Sequence, residues 1–225
     1  SNFGALGEKP SHPDLLDDLS VRFMEEGKWS LKWLVREIVL SSTYRQSSEA
    51  FPAKIAEDPA NELLWRMNRR RLSIEMWRDA LYAASGALDR SIGGKSFKAN
   101  DANASRRTVY ARISRLQLDP VLALFDFPDP NLHSPGRGET TTPLQKLFLM
   151  NNPLVVTQAE ALAARIEKEA DPANVDTLVN RAYEILFGRI PKKEELALGR
   201  RFLQDNELRD YAQGLLNSNE FSWLD

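Results

Sequence analysis

The 225-residue sequence has no cysteine, only two histidines (His12 and His133) and almost no net charge, with 30 Lys+Arg against 32 Asp+Glu. The absence of cysteine excludes disulfides, thiolate metal sites, a cysteine nucleophile and covalent attachment of c-type haem. Because two histidines are too few for most imidazole metal sites, we expect no metal site. A formal net charge of −2 provides no overall field that would attract nucleic acid or an anionic membrane.

The sequence also lacks the run of about 18 apolar residues that a membrane span needs and has no signal peptide at its start. Ser1 and Asn2 resemble the remnant of a cleaved tag, so residues 1–10 are interpreted as that remnant and a linker. The composition, 42% hydrophobic and 28% charged, is typical of a globular protein. We therefore expect a soluble fragment of a longer protein.

Apolar side chains recur with helical period along most of the chain. Four helices are predicted in the first 88 residues, with starts marked by Pro13, Ser30, Pro59 and Ser73. The third of these would carry Leu63, Leu64 and Met67. Because none of these amphipathic helices can bury its apolar face alone, they are expected to pack on one another.

Two irregular stretches interrupt the helices. Residues 89–107 form a polar, glycine-containing loop, and residues 126–142 are broken by prolines and glycines. Between them, the β-branched and aromatic residues of 108–113 indicate one short strand or extended segment. We predict an all-α, orthogonal or bundle-like domain of many helices, with a long irregular middle and at most one short extended segment. Its main part would span 11–170, with a C-terminal helical subdomain, 175–225, packed on it.

The loop 126–142 contains the candidate catalytic residues Asp126, Asp129 and His133. Two carboxylates and an imidazole are suited to acid–base catalysis or to binding a divalent metal. Their spacing matches no ligand motif, however, and side chains that fix turns explain the same residues.

Six arginines are candidates for binding an anion, because a guanidinium binds phosphate, sulfate or carboxylate through two hydrogen bonds. They could equally form ion pairs with nearby acids such as Glu75 and Asp79, and the near-zero net charge favours that interpretation. The six are Arg69, Arg70, Arg71, Arg106, Arg107 and Arg137.

Sequence blocks spread over most of the chain carry a family resemblance: SHPDLLD at 11–17, NELLWR at 61–66, RRTVY at 106–110, TTTPLQ at 140–145, LMNNP at 149–153 and LLNSNEF at 215–221. They resemble the C-terminal domain of unknown function of planctomycete-type multidomain proteins that often carry an N-terminal cytochrome c-like segment. The resemblance implies an exported parent, periplasmic or secreted, with any haem c in its upstream domains. This fragment itself would then hold no cofactor.

Two functions remain open. The first is a non-catalytic interaction or scaffolding domain that packs on the upstream domains of its parent, on another protein or on carbohydrate, and it predicts an exposed apolar patch. The alternative is part of an enzyme or binding site for carbohydrate or another anionic polymer, using the 125–142 loop and nearby arginines. That alternative predicts that the candidate side chains converge in one cleft.

Overall fold

The computed structural model describes residues 7, 9–134 and 136–224. Within them lie eleven α-helices and one two-stranded sheet, which confirms the predicted mostly α-helical class. The chain divides into two compact units, unit 1 (Ser1–Arg70) and unit 2 (Arg71–Leu224). The tag remnant and linker predicted for residues 1–10 lie mostly outside the described residues. The main domain and C-terminal subdomain drawn from the sequence stay a prediction.

Unit 1 contains the helices α1 (Pro13–Glu25), α2 (Leu31–Leu40) and α3 (Pro52–Glu57). The starts of α1 and α2 are those that the sequence predicts. Pro13 occupies the first turn of α1, and the Ser30 hydroxyl accepts the N–H of Trp33 at 3.3 Å.

The third predicted helix is wrong, because α3 ends before the apolar residues that it was expected to carry. The Asp58 carboxylate accepts the backbone N–H groups of Glu62 at 2.9 Å and Leu63 at 2.8 Å, which closes a turn. Asn61 and Leu64 then adopt left-handed backbone angles, with φ of 56° and 54°. A helix cannot pass through such residues, so the local turn outweighs the apolar periodicity.

Unit 2 contains most of the regular structure. Its helices are α4 (Ile74–Ser85), α5 (Pro120–Leu124), α6 (Pro143–Asn151), α7 (Pro153–Glu169), α8 (Val175–Phe187), α9 (Lys193–Asp205), α10 (Leu208–Leu216) and α11 (Asn219–Ser222). Two-residue strands β1 (Arg70–Arg71) and β2 (Trp223–Leu224) pair in the sheet. Beside this pair, the Leu72 N–H donates to the Ser222 carbonyl at 2.8 Å.

The core of unit 2 is built around α7, which packs against α4 and α10 and contacts α6 and α8. Asn152 caps α7 by accepting the N–H of Leu154 at 2.9 Å. The apolar face of α7 is fully enclosed: Leu154, Val155, Ala159, Leu162, Ala163 and Ile166 are all buried. Each buried leucine, valine or isoleucine among them stabilises the fold by roughly 1.5–3 kcal/mol relative to an exposed one.

The segment predicted to be extended at 108–113 instead begins with a 3-10 turn (Thr108–Tyr110). The Thr108 N–H and hydroxyl both donate to Asp79 Oδ1 at 2.6 Å, so the chain turns back at this point. Extended backbone resumes at Ala111, which forms an isolated bridge with Phe97. The β-branched composition therefore indicates the extended part but not the turn that precedes it.

Candidate functional site

Asp126 anchors the start of the irregular loop 126–142 in unit 2. Its carboxylate accepts the Thr140 N–H at 2.9 Å and the Thr140 hydroxyl at 2.8 Å, so it joins the two ends of the loop. Arg71 lies 4.0 Å from the same carboxylate. Asp126 itself has a left-handed backbone, with φ of 60°. These contacts use the carboxylate to shape the loop.

The buried side chain of Gln145 reinforces this anchor from the first turn of α6. Its Nε2 group donates to the Leu124 carbonyl at 2.9 Å and to the Thr140 hydroxyl at 3.3 Å. Its Oε1 accepts the Thr142 N–H at 3.0 Å and Arg71 Nη1 at 3.2 Å. The amide is thus fully engaged, as a buried polar group needs to be.

Asp129 and His133 do not join Asp126. Asp129 Oδ1 accepts the backbone N–H and the side-chain amide of Asn131 at 2.9 and 3.1 Å, a turn-forming arrangement. The Asn131 amide also donates to the Arg115 carbonyl at 2.8 Å. The His133 ring is exposed and makes no hydrogen bond within the described part of the loop. The three candidate catalytic residues share no hydrogen-bonding partner there.

Arg137 forms a two-pronged ion pair with Glu75 of α4, with N–O distances of 2.6 and 2.8 Å. Its guanidinium also lies 5.0 Å from the ring centre of Phe127. Burial is the largest single influence on the pKa of Glu75 and raises it, but the hydrogen bonds and charge of Arg137, together with hydrogen bonds from the backbone and Ser73, leave the net pKa lowered. Arg137 therefore uses its donors on an internal acid, the alternative that the sequence left open.

Arg106 and Arg107 both lie in the loop that precedes the 3-10 turn. Arg107 is an exposed residue 3.7 Å from the Asp79 carboxylate. Arg106 covers the Tyr110 ring at 4.6 Å and donates to the Lys95 carbonyl at 3.3 Å. Its Nε and Nη2 atoms are closed off from solvent without a hydrogen-bond partner in the described structure.

Arg71, Arg69 and Arg70 complete the predicted set. Arg71 is half-buried beside Asp126 and Gln145. Arg69 and Arg70 belong to unit 1, where both are exposed. The geometry thus assigns local partners to most of the predicted arginines.

The most enclosed charged group, Arg78 of α4, was missed by the sequence analysis. It is 0% exposed, and its guanidinium donates to the carbonyls of Ala99, Ala104 and Arg106 and to the Thr108 hydroxyl. It also lies 4.5 Å from the Tyr82 ring centre and 5.0 Å from that of Phe97. Burial lowers its pKa.

The sequence contained one signal for this residue. Arg78 follows Ile74 by four positions and precedes Leu81 by three, which places it at the edge of the apolar stripe of α4. A buried arginine needs several acceptors, and the adjacent loop, which has few apolar residues, supplies them from its backbone. Arg78 therefore holds the 97–108 segment against α4.

A cavity of about 410 Å³ opens beside this anchored segment. Its lining combines apolar surface with polar groups and includes two cations, Lys98 and Arg112, whose charged groups can bind an anion. Its lining residues are Lys98, Asn100, Arg112, Ser114, Leu116, Gln117, Leu118, Asp119 and Pro120. No cluster of three or more metal-ligating side chains occurs in the part of the chain that the structure describes.

None of the helices in the described ranges has the length and hydropathy that crossing a membrane requires. Neither a curated protein nor a solved structure matches the chain. One family model does match, over residues 1–203, and its description is PSD1, protein of unknown function (DUF1553). Because this match covers most of the 225 residues, the chain belongs to the PSD1 (DUF1553) family of proteins of unknown function.

Proposed function

We propose that this chain is a non-catalytic, helical interaction domain of a larger exported protein, in which unit 1 docks on a neighbouring domain. The observation that carries the proposal is that the apolar stripes of α1 and α2 contain no buried residue and several exposed ones. Buried residues in the described part of unit 1 are limited to Gly27, Ser48 and Asn61, none of which contributes a large apolar side chain.

The two helices are held together at one end, which gives their exposed face a defined shape. Arg22 of α1 donates to Glu37 of α2 at 2.6 Å and lies over the Trp33 ring at 5.5 Å. The Phe23 and Trp29 rings meet edge to face, 5.5 Å apart. A rigid apolar face costs less entropy to dock than a flexible one, which supports a role in recognition.

The exposed face is large enough to contribute to a stable interface. Leu31 is 71% exposed and Val35 57% on α2, while Leu15 and Leu16 of α1 are each about half exposed. Covering a half-exposed leucine contributes about 1 kcal/mol. Fourteen large apolar residues of unit 1 are exposed: Leu15, Leu16, Val21, Met24, Trp29, Leu31, Val35, Ile38, Leu40, Tyr44, Phe51, Ile55, Leu63 and Leu64.

The enzyme alternative is less well supported. It needs Asp126, Asp129 and Arg137 to be available to a substrate, and their carboxylates and guanidinium are engaged in turns or an ion pair. The extracytoplasmic location, the planctomycete-type parent and its haem-bearing upstream domains stay expectations from the sequence resemblance.

Hydrogen–deuterium exchange on the longer natural protein and on this 225-residue chain tests the proposal. In the longer protein we expect the amides of α1 and α2 to exchange at least about tenfold more slowly, because docking excludes water. The double variant Leu31→Asp/Val35→Asp should remove that protection.

Ile190→Asp/Leu198→Asp is the matched control, since it places two aspartates on exposed apolar positions of unit 2. It should leave the α1 and α2 protection unchanged. Equal exchange in both proteins would contradict the proposal. So would concentration-dependent protection in the 225-residue chain alone, which would show that a second copy covers the face.

A further inference from the structure

Hydrogen bonds within the protein join the segments that line the cavity beside Lys98 and Arg112. The Arg112 N–H donates to the Phe97 carbonyl at 2.7 Å, and the Asn100 N–H donates to Asp119 Oδ2 at 3.3 Å. Ala99, between them, is completely buried, and its carbonyl accepts Arg78 Nε at 3.2 Å. A cavity with fixed walls loses little conformational entropy when a ligand enters.

The two cations that line this cavity are unengaged. Lys98 and Arg112 are exposed, and their charged groups have no hydrogen-bond or ion-pair partner among the described residues. The one acid in the lining, Asp119, accepts backbone N–H groups on both oxygens, from Val121 and Asn100. The cavity therefore carries a local positive charge with free donors.

Many other surface arginines of unit 2 hold a carboxylate. Arg181 binds Glu169 at 2.6 Å, and Arg189 binds both Glu195 and Glu220. Lys98 and Arg112 differ in that they are unpaired and line one cavity, so an anion that enters it would meet the donors of both.

A second depression, of about 290 Å³, adjoins the first, because Leu118 lines both. Its lining adds a third cation, Arg115, whose guanidinium also lacks a partner within the described ranges. It also includes Phe127, Asn131 and one acid, Asp129, whose Oδ1 accepts two hydrogen bonds from Asn131. Leu116, beside the first cavity, is 99% exposed. The two depressions thus place three free cations and an exposed apolar side chain along one stretch of surface.

The neutral groups in the lining narrow the class of ligand. Ser114, Gln117 and Asn100 present hydroxyl and amide groups that can hydrogen-bond to the hydroxyls of a ligand. The net charge of −2 makes a nucleic acid a poor occupant, since binding one relies on a basic excess over a wide area. A compact, hydroxyl-rich anion meets these conditions.

We propose that these depressions form one groove for an acidic saccharide, with Lys98 and Arg112 binding the carboxylate or sulfate of one sugar and Arg115 that of the next. Binding is non-covalent, and selectivity comes from the anionic group together with sugar hydroxyls. The groove lies in unit 2, so it functions independently of the docking face proposed for unit 1.

Isothermal titration calorimetry with oligogalacturonate, a sulfated disaccharide, neutral cello-oligosaccharide and inorganic sulfate tests the groove. We expect the acidic saccharides to bind, the neutral one not to bind, and affinity to fall with added salt. Lys98→Ala/Arg112→Ala should weaken binding at least about tenfold, because it removes two charged hydrogen-bond donors. Arg115→Ala should weaken binding of a galacturonate trimer but not of the monomer.

The matched control Lys193→Ala/Arg201→Ala removes two exposed cations from α9 and should bind like the unchanged chain. Thermal melts check that all variants remain folded. Four results would overturn the proposal: no binding of any acidic saccharide, equal affinity in the Lys98/Arg112 variant, equal binding of the neutral sugar, or sulfate binding as tightly as the saccharides.

Discussion

Replacing Arg78 by methionine should destabilise unit 2 and release the loop that precedes the 3-10 turn. Methionine keeps much of the side-chain volume and the contact with the Tyr82 and Phe97 rings. It removes every hydrogen bond that the guanidinium donates, to three carbonyls and to Thr108. The variant therefore isolates the polar role of the residue.

The magnitude follows from the groups left without a donor. Each buried carbonyl that loses its partner costs about 1–3 kcal/mol. Ala99 is fully buried, whereas Ala104 and Arg106 are partly exposed, so water can replace some of the lost bonds. Removing the cation also relieves its own desolvation. We expect a net loss of about 2–4 kcal/mol, because one carbonyl and the Thr108 hydroxyl stay buried while water can reach the other two acceptors.

Urea unfolding followed by far-UV circular dichroism measures this loss, and hydrogen exchange locates it. The amides of residues 97–112 should lose protection first, because Arg78 connects that segment to α4. Arg107→Met serves as the control, since Arg107 is exposed and its contact with Asp79, at 3.7 Å, is weak. It should change the free energy of unfolding by less than about 1 kcal/mol.

The reasoning is refuted if Arg78→Met unfolds within about 1 kcal/mol of the unchanged chain and the loop keeps its protection. That result would mean that water or a rearranged backbone satisfies the carbonyls at little cost. A second readout is available, because the loop carries Lys98 and Asn100 of the proposed groove. Loss of the loop structure should also weaken acidic saccharide binding.

The remaining predictions concern α9 and α10. Hydrogen bonds from Arg189 lower the pKa of Glu195 to about 2, so the Glu195 carboxylate stabilises the fold above about pH 4.5. This contribution, about 1–2 kcal/mol after allowance for partial exposure, is lost as the pH falls towards 2. Glu195→Gln should therefore flatten the plot of unfolding free energy against pH in this range. Gly199→Ala should lower stability by about 1–2 kcal/mol, because the added Cβ would lie 2.7 Å from the Tyr211 hydroxyl oxygen. Gly214→Ala in α10, where nothing lies within 4 Å, should instead raise it by about 0.5–1 kcal/mol, and a thermal melt that reverses this order would contradict the packing argument.

Helix starts were predictable because their signals are local. Proline in the first turn and a serine, threonine or asparagine cap act within four residues of the chain. At the predicted start Ser30, for example, the hydroxyl accepts the Trp33 N–H at 3.3 Å. The helix predicted after Asp58 failed for a local reason too, since the Asp58 turn competes with helix formation and periodicity alone does not register that competition.

The candidate site was harder to predict, because a charged residue looks the same in sequence whether it is paired or free. Arg137 lies 62 positions from Glu75, its partner, and nothing in the pattern of either residue indicates that pairing. The sequence does not indicate that Lys98 and Arg112 are neighbours, because only the packing of their two segments places them around one cavity.

By itself, the sequence determined the helical class, most helix starts, the irregular middle and the absence of any cysteine chemistry, since these depend on composition and short-range backbone preferences. Tertiary structure alone decided which apolar stripes are covered: that of α7 is enclosed, while those of α1 and α2 contain no buried residue. It also decided which charges are engaged. Burial and pairing are properties of neighbours distant in the chain, so they arise only when the elements pack.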